Sequence, residues 1–597
     1  MKIAYKNNTV EKTLTAVKAV TSVMVVASFV ILFGFERPLV PVQILFRIQI
    51  GMLAVFLAGK VIRFCNARIR KEYVLANWFE IPMLLALGVV IIGSGRWFEE
   101  TEPGRVRHLA VGIYLIIEVT TKVCMASVSL AASGRNPTKT LIASFVVLII
   151  TGAGLLMLPR ASTGEPLRFV DALFTSTSAT CVTGLIVKDT GKDFTFMGQI
   201  IILVLIQLGG LGIVVFGAVF ALLLGQALSL RESVAMQDLL SARTLSRIGN
   251  MIVFIFVVTA AIEALGALSL FEMWDDVPSW QAGVHSRWFC SIFHSISAFC
   301  NAGFSLFSDS FIDYNRNWQI YGVVCPLIII GGMGFSVLYN LSTAVADSTV
   351  RFLKRSFNRQ YRLAMDPPKR VRLQSKIVLS VSAICIVVGA VTILVFERYS
   401  TGTSPSRQPD VLAALFQSIT ARTAGFNTVD IAKLAPSSKF VLILLMFIGG
   451  SPGSTAGGIK TVTLAVIVMA VFATLRKRGE VEMFKRSIRT VVVGRAITVT
   501  MLFIIVLFGT TMILSITETS YRNGRFDMLD IMFEAGSALG TVGLTTGVTP
   551  ALTDAGKFII IAVMLIGRLG PLTLLAALTF NLKPVRYNYP DEAIIVG

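Results

Sequence analysis

Apolar runs of about 17–25 residues recur along the chain, separated by short polar turns. Each is long enough to cross roughly 30 Å of hydrocarbon. Backbone polar groups at that depth must be satisfied within the segment, which selects helix. An outer-membrane barrel would need alternating strands of about ten residues, and that alternation is absent. The pattern predicts an all-α integral membrane protein with about twelve spanning helices. Four come first, at about 18–35, 41–62, 77–96 and 108–130. The first, Ala19–Phe35, follows a basic segment as a signal peptide would. It runs into Glu36, Arg37 and Pro38 rather than a small-residue cleavage site, and so reads as a retained helix. A polar hinge, Ser133–Thr140, closes this block.

Beyond the hinge, four short stretches rhyme. They are Phe174-TSTSATCVT-Gly184, Phe293-HSISAFCNA-Gly303, Phe416-QSITARTA-Gly425 and Phe533-EAGSALGTV-Gly543. Successive closing glycines lie 119, 122 and 118 residues apart. A fixed internal period means one unit used four times. The expected organisation is an N-terminal four-helix transmembrane extension over 1–132, then repeats over 141–226, 248–346, 377–475 and 491–582, and a cytoplasmic tail over 583–597. Each repeat reads as helix, re-entrant segment, helix, and the four are expected in a pseudo-fourfold arrangement. The first re-entrant run, Val170–Thr180, is about 16 Å of helix and too short to cross. Its C-terminal end would carry partial negative charge. Asp171, Asp410, Asp527 and Asp530 sit at the starts of such segments, where the dipole favours a carboxylate.

The composition agrees. Of 597 residues, 54% are hydrophobic and only 15% charged, with a mean hydropathy of +0.76. The net charge of +20 is concentrated. Residues 347–376 hold nine Lys/Arg against Asp347 and Asp366, and 474–489 hold six against Glu480 and Glu482. Residues 272–286 hold Glu272, Asp275 and Asp276 with no Lys/Arg. Basic loops stay in the cytoplasm beside anionic lipid, so both termini are expected there, in a plasma membrane, and nucleic acid is not implied. Seven scattered cysteines without a CxxC, and three histidines without ligand spacing, indicate neither a disulfide framework nor a zinc site.

The chemistry follows from the rhyming turns. A cation that sheds its water needs oxygen ligands in return, and rings of backbone carbonyls supply them. Glycine allows the backbone angles that aim successive carbonyls inward. The candidate ligands are Cys181, Val182, Thr183 and Gly184; Cys300, Asn301, Ala302 and Gly303; Thr423, Ala424 and Gly425; and Gly540, Thr541, Val542 and Gly543. No acidic side chain occurs among them, which disfavours calcium and magnesium. One small-residue turn alone would read as a tight helix contact; four in register read as a potassium filter. Cys181 and Cys300 read as small pore-loop side chains rather than redox groups. Arg422 would repel a cation if it faced the axis, so it is expected to point backwards, with Glu534 as its partner.

A second rhyme lies downstream: Gly209-Gly210-Leu211-Gly212, Gly331-Gly332-Met333-Gly334, Gly449-Gly450-Ser451-Pro452-Gly453 and Gly567-Arg568-Leu569-Gly570. These are expected mid-helix, where glycine pairs permit kinks. The third, running through Gly450, Ser451, Pro452, Gly453, Ser454, Thr455, Ala456, Gly457 and Gly458, cannot stay helical. Unwound backbone at membrane depth is tolerated where it lines an aqueous path, which suggests a gate below the filter. Arg568 is an intramembrane cation and a functional candidate for that reason.

Taken in order, LMLP closing the first helix, FTSTSATCVTGL, TARTAGFNT, GGSPGSTAGGIKT, GTVGLTTG and IGRLGP resemble the Trk/Ktr/HKT superfamily of potassium transporters, in particular its bacterial TrkH/KtrB-type pore-forming subunits. The resemblance covers about Ala131 to Leu582. It implies a single-chain pseudo-tetrameric pore, a homodimer, and a cytoplasmic nucleotide-binding regulatory ring. It implies that Gly184, Gly303, Gly425 and Gly543 are the filter glycines, that Gly450–Gly458 is an intramembrane gating loop, and that Arg568 is the pore arginine. The four N-terminal helices exceed that family's eight-helix core, so dimer geometry and partner identity do not carry over. The expectation is potassium uptake without covalent cofactor, with potassium as the bound ion, sodium coupling left open, and nucleotide acting only through a partner. Two other readings are a sodium-conducting or sodium-coupled pore of the same fold, against which Gly184 speaks, and an alternating-access symporter, which predicts inverted halves rather than four like-oriented units. A membrane enzyme would need a nucleophile–base pair, a metal cluster or a phosphate loop. GGIKT at 457–461 lacks the strand and spacing of the last.

Overall fold

The computed structural model describes residues 6–35, 37–76, 80–97, 107–119, 137–212, 218, 248–274, 284–357, 370–399, 410–519 and 526–570. The predicted tail, the second half of the fourth predicted span, and the ends of the first and fourth repeats lie outside them.

The described residues are mainly helical, with one small β-ribbon. Helix α1 (Asn8–Gly34) starts where the Asn7 side chain accepts from the Thr9 and Val10 amides, and α2 (Val42–Asn66) starts after Pro41. With α3 (Arg70–Ala76), α4 (Glu80–Trp97) and a helix α5 over 107–119 they form the N-terminal part. Val25, Leu53, Phe56, Leu87 and Leu115 pack as its own core. Charges from three of its helices meet inside that core. Lys60 of α2 lies 2.8 Å from Glu118 of α5 and 3.3 Å from Glu80 of α4, with its ammonium over the Tyr114 ring.

Four units follow. The first comprises α6 (Pro137–Leu156), α7 (Phe169–Cys181) and α8 (Phe196–Leu211). The second has α9 (Ile248–Leu270), α10 (Val284–Phe299), a π-helical turn Ile320–Val324 leading into α11 (Cys325–Gly332), and α12 (Phe335–Phe357). The third has α13 (Leu373–Tyr399), α14 (Val411–Thr420), α15 (Pro436–Phe447) and α16 (Thr461–Leu475). After the ribbon β1 (Val481–Met483) and β2 (Arg486–Ile488), the fourth has α17 (Thr490–Thr519), α18 (Met528–Gly540) and α19 (Asp554–Leu569). One apolar core spans the first three units, a second joins the third to the fourth, and a third joins the fourth back to the first.

Each short middle helix docks on the long helix before it by the same device. Ser176 donates to the Ile149 carbonyl (2.7 Å), Ser295 to that of Glu263 (2.7 Å) and Ser418 to that of Ile386 (2.8 Å). Gly152, Gly266 and Gly389 stand opposite these hydroxyls, where a Cβ would collide with them. In the fourth unit Ala535 stands at the serine's place, and the neighbouring Gly536 packs near Ile443 and Leu507.

One expectation, that the downstream glycine motifs sit within helices, needs correction. Among the described residues five helices are long and apolar enough to cross a membrane. A sixth counts only if the pair around Gly332–Phe335, bent by 105°, is one span. The other apolar helices are short, Phe196–Leu211, Pro436–Phe447 and Thr461–Leu475 among them. The reason lies in the downstream glycine motifs, which end helices instead of sitting within them. Gly212, Gly334 and Gly570 take φ of +82°, +87° and +83°, a region that breaks the helical ladder and that glycine enters without steric cost.

The buried charges make a test. Lys60→Met should destabilise the N-terminal part by about 3–5 kcal/mol by leaving two carboxylates buried without their cation. Adding Glu80→Gln and Glu118→Gln should recover most of that loss in thermal unfolding in detergent. A single variant that melts like the parent would contradict the arrangement.

Candidate functional site

The four rhyming turns meet. Helices α7, α10, α14 and α18 end just before them, so four helix C-termini, each with partial negative charge, converge on one place. In every turn the residue two before the closing glycine has a left-handed backbone: φ is 57° at Val182, 58° at Asn301, 78° at Thr423 and 52° at Thr541. The closing glycines follow at 90°, 68°, 81° and 99°. Positive φ at the β-branched Val182, Thr423 and Thr541 is strained, and such strain persists where the surroundings over-determine it.

What over-determines it is the serine or threonine of each short helix. The Ser178 and Ser537 hydroxyls accept from the Gly184 and Gly543 amides (3.1 and 3.0 Å). Ser297 and Thr420 donate to the carbonyls of Phe304 and Phe426 (2.8 and 2.6 Å), one residue beyond their glycines. Backbone bonds add to this, from the Thr183 amide to the Ser178 carbonyl and from Ala302 to Ser297.

The glycines close a ring. A Cβ on Gly184 would lie 2.5 Å from the Ala302 carbonyl oxygen, and one on Gly303 2.7 Å from that of Ala424. A Cβ on Gly425 would strike the Val542 carbonyl oxygen, and one on Gly543 that of Thr183. Each glycine thus faces the carbonyl just before the next unit's glycine, and the fourth returns to the first. The hydroxyls of Thr183, Thr423 and Thr541 are buried here without a hydrogen-bond partner. Cys181, Cys300 and Gly540 stand at the ends of their helices. The Cys300 thiol turns away from the ring, toward Gln207 (3.5 Å).

Below the ring lies the segment Gly449–Ile459. The Ser451 amide donates to the Gly332 carbonyl (3.0 Å), the Phe335 amide to that of Gly453 (3.0 Å), and the Thr455 hydroxyl to that of Gly331 (3.2 Å). Arg568 binds from the fourth unit. Its guanidinium donates to the Thr455 carbonyl and to those of Gly209 (2.6 Å) and Gly210 (3.2 Å). One arginine therefore fastens the loop to the first unit through carbonyls alone. Lys460 caps the loop's far end on the carbonyls of Ala456 (2.7 Å) and Gly457 (3.3 Å). Gly457 abuts the Thr541 side chain, so the loop reaches the underside of the ring.

Arg422 points away from the ring, as expected, but its partner is not Glu534. It donates to the carbonyl and hydroxyl of Ser382 on α13 (3.2 and 3.1 Å). Glu534 is taken by Thr545 (2.9 Å) and Thr549. The reason is direction: Arg422 leaves its turn toward the long helix of its own unit, whereas Glu534 faces its own unit's outer loop.

Sequence reasoning missed several groups. Glu263 of α9 is buried behind the second turn and accepts from Gln207 of α8 (3.1 Å). A carboxyl within an apolar run was the available signal. Two cross-unit pairs were missed as well: Lys557 with Asp171 (2.6 Å), and Lys439 with Asp530 (3.1 Å). In both, the lysine lies on the helix that follows one unit's short helix, and the aspartate lies on the short helix of the next unit. Arg168 also reaches Asp171 (3.1 Å).

Comparison with known proteins fits this architecture. The TrkH family, described as "Cation transport protein", matches residues 107–584. The Ktr system potassium uptake protein B of Bacillus subtilis is 37% identical over 464 residues, 77% of this chain and 97% of that protein. The potassium/sodium uptake protein NtpJ of Enterococcus hirae is 35% identical, covering 77% of this chain and 97% of its own. The solved potassium transporter TrkH of Vibrio parahaemolyticus superposes with a TM-score of 0.56 at 20% identity, over 86% of this chain and 98% of that one, a likeness of fold. The chain, an integral membrane protein and not an enzyme, belongs to the TrkH family of cation transport proteins.

Proposed function

We propose that this protein carries potassium into the cell through the ring of main-chain carbonyls at the four turns. The observation that carries the reading is the closed cycle in which Gly184, Gly303, Gly425 and Gly543 each face the carbonyl before the next glycine. It supports reading the four units as repeats about one pseudo-fourfold axis. The carbonyls of Thr183, Ala302, Ala424 and Val542 are then the ligands that replace an ion's water shell, aided by the unpartnered hydroxyls nearby. The potassium uptake named for the Bacillus relative supports the choice of ion.

In this reading, the segment Gly450–Gly458 is the gate and Arg568 its latch, a fixed positive charge beneath the filter. Both termini face the cytoplasm, because the basic segments 347–376 and 474–489 then lie inside. Assembly as a homodimer on a cytoplasmic nucleotide-binding ring rests on the family resemblance. A sodium-conducting or sodium-coupled mode is the second reading, favoured by the Enterococcus relative named for both ions.

Flux of rubidium and of sodium into proteoliposomes tests the ion. The parent protein should pass rubidium in clear excess. Gly184→Ser should displace the Ala302 carbonyl. Losing one oxygen ligand costs more than about 1.4 kcal/mol, so rubidium flux should fall about tenfold or more and the rubidium-to-sodium ratio should approach one. Equal passage of both ions through the parent would refute potassium selectivity.

The latch has its own test. Arg568→Gln loses charge-assisted bonds worth roughly 1.5–3 kcal/mol, enough to raise gated flux by about tenfold. Unchanged or reduced flux at equal protein level would remove Arg568 from gating.

A further inference from the structure

Outside the pore, an apolar groove of about 450 Å³ lies between α16 and α17. Its walls are Ile467, Val471 and Leu475 on one side and Ile497, Thr500 and Met501 on the other. Val471, Leu475, Ile497 and Met501 remain 54%, 73%, 45% and 55% exposed, so the groove opens sideways along the helices. Its threonines present no free hydroxyl: Thr474 donates back to the Ala470 carbonyl and Thr500 to that of Ala496, 3.0 Å each. From Ile467 to Leu475 the wall runs about 12 Å, close to the depth of one bilayer leaflet.

The groove ends where the two helices are joined by residues 476–489. This connection is ordered. Strands β1 and β2 pair with Val481 opposite Ile488, and Met483 is buried with Ile377 and Ala465. Its six cations, Arg476, Lys477, Arg478, Lys485, Arg486 and Arg489, are all exposed. Arg478 is paired with Glu482 (2.9 Å). Arg476 and Lys477 directly follow the groove wall at Leu475, and Arg489 directly precedes α17. Among the described residues no carboxylate lies within ion-pair distance of these three. A hydrocarbon slot of one-leaflet depth thus opens beneath uncompensated positive charge at the membrane surface.

We infer that this groove is a binding site for an anionic phospholipid, with one acyl chain between α16 and α17 and the phosphate held by Arg476, Lys477 and Arg489. A zwitterionic lipid would fill the slot equally well but would leave the cations unneutralised. The charge therefore sets the headgroup preference and the slot sets the affinity for the chain. The site does not depend on the filter assignment.

Native mass spectrometry of the full-length protein in detergent tests it, with phosphatidylglycerol and phosphatidylcholine of identical chains added in equal amounts. Phosphatidylglycerol should be retained in roughly fivefold excess or more. The triple variant Arg476→Gln, Lys477→Gln, Arg489→Gln should abolish that preference. Ala470→Trp and, independently, Met501→Trp should each reduce retention of phosphatidylglycerol severalfold while melting as the parent does. Val30→Trp, in a separate apolar cavity beside α1, should leave retention unchanged. Equal retention of the two lipids, or full retention by both groove-filled variants, would overturn the inference. A triple variant that kept its lipid preference would assign the basic ribbon to a protein partner instead.

Discussion

The structure depends on one close contact made four times: the α-carbon of a glycine against the carbonyl of the neighbouring unit. No side chain fits there, because even a Cβ would stand at or inside hydrogen-bonding distance of that oxygen. The contact fixes the diameter of the ring and the direction of its carbonyls together. Much of the surrounding packing serves it. Serine and threonine on the short helices hold the turns in left-handed geometry, and paired glycines let those helices lie close to their long neighbours. Three apolar cores join unit to unit around the cycle.

The units share this plan but have diverged behind it. The place three residues before the closing glycine holds Cys181, Cys300, Arg422 and Gly540 in turn. Cys300 meets Gln207 beside Glu263, whereas Arg422 meets Ser382. Lysine–aspartate pairs fasten the third unit to the fourth and the fourth to the first. At the corresponding place in the second unit stands Tyr321, which donates to the Asn315 carbonyl (2.6 Å). The likeness among the units is therefore confined to the main chain of the ring, the part that the proposed function assigns to the ion. The loop below breaks that likeness most. It comes from the third unit, is hydrogen-bonded to the second, and is latched to the first by an arginine from the fourth.

Much of the ring was legible in the sequence because its requirements are local. A turn that must reach positive φ and accept no side chain needs glycine at a fixed place, and a period near 120 shows through four such demands. The non-helical loop was legible too, since five glycines and a proline within Gly449–Gly458 cannot sustain a ladder. The glycine motifs elsewhere were read as kinks because composition does not distinguish a bent helix from an ended one; that depends on the sign of φ at Gly212, Gly334 and Gly570. Partners across units were not legible. Arg422 with Ser382 and Lys557 with Asp171 lie 40 and 386 residues apart, and only the folded packing chooses these partners over the other acceptors and carboxylates in the chain. The Lys60 cluster was hidden for the same reason, its members being spread over three helices of a segment read by hydropathy alone.

The most direct measurement is anomalous diffraction, or difference density, from the protein prepared in rubidium and compared with the same protein in sodium. The account predicts a rubidium peak on the axis of the ring, within about 3 Å of the carbonyl oxygens of Thr183, Ala302, Ala424 and Val542, and its loss in Gly184→Ser. Rubidium bound elsewhere, held by side-chain carboxylates with the ring bare, would contradict it.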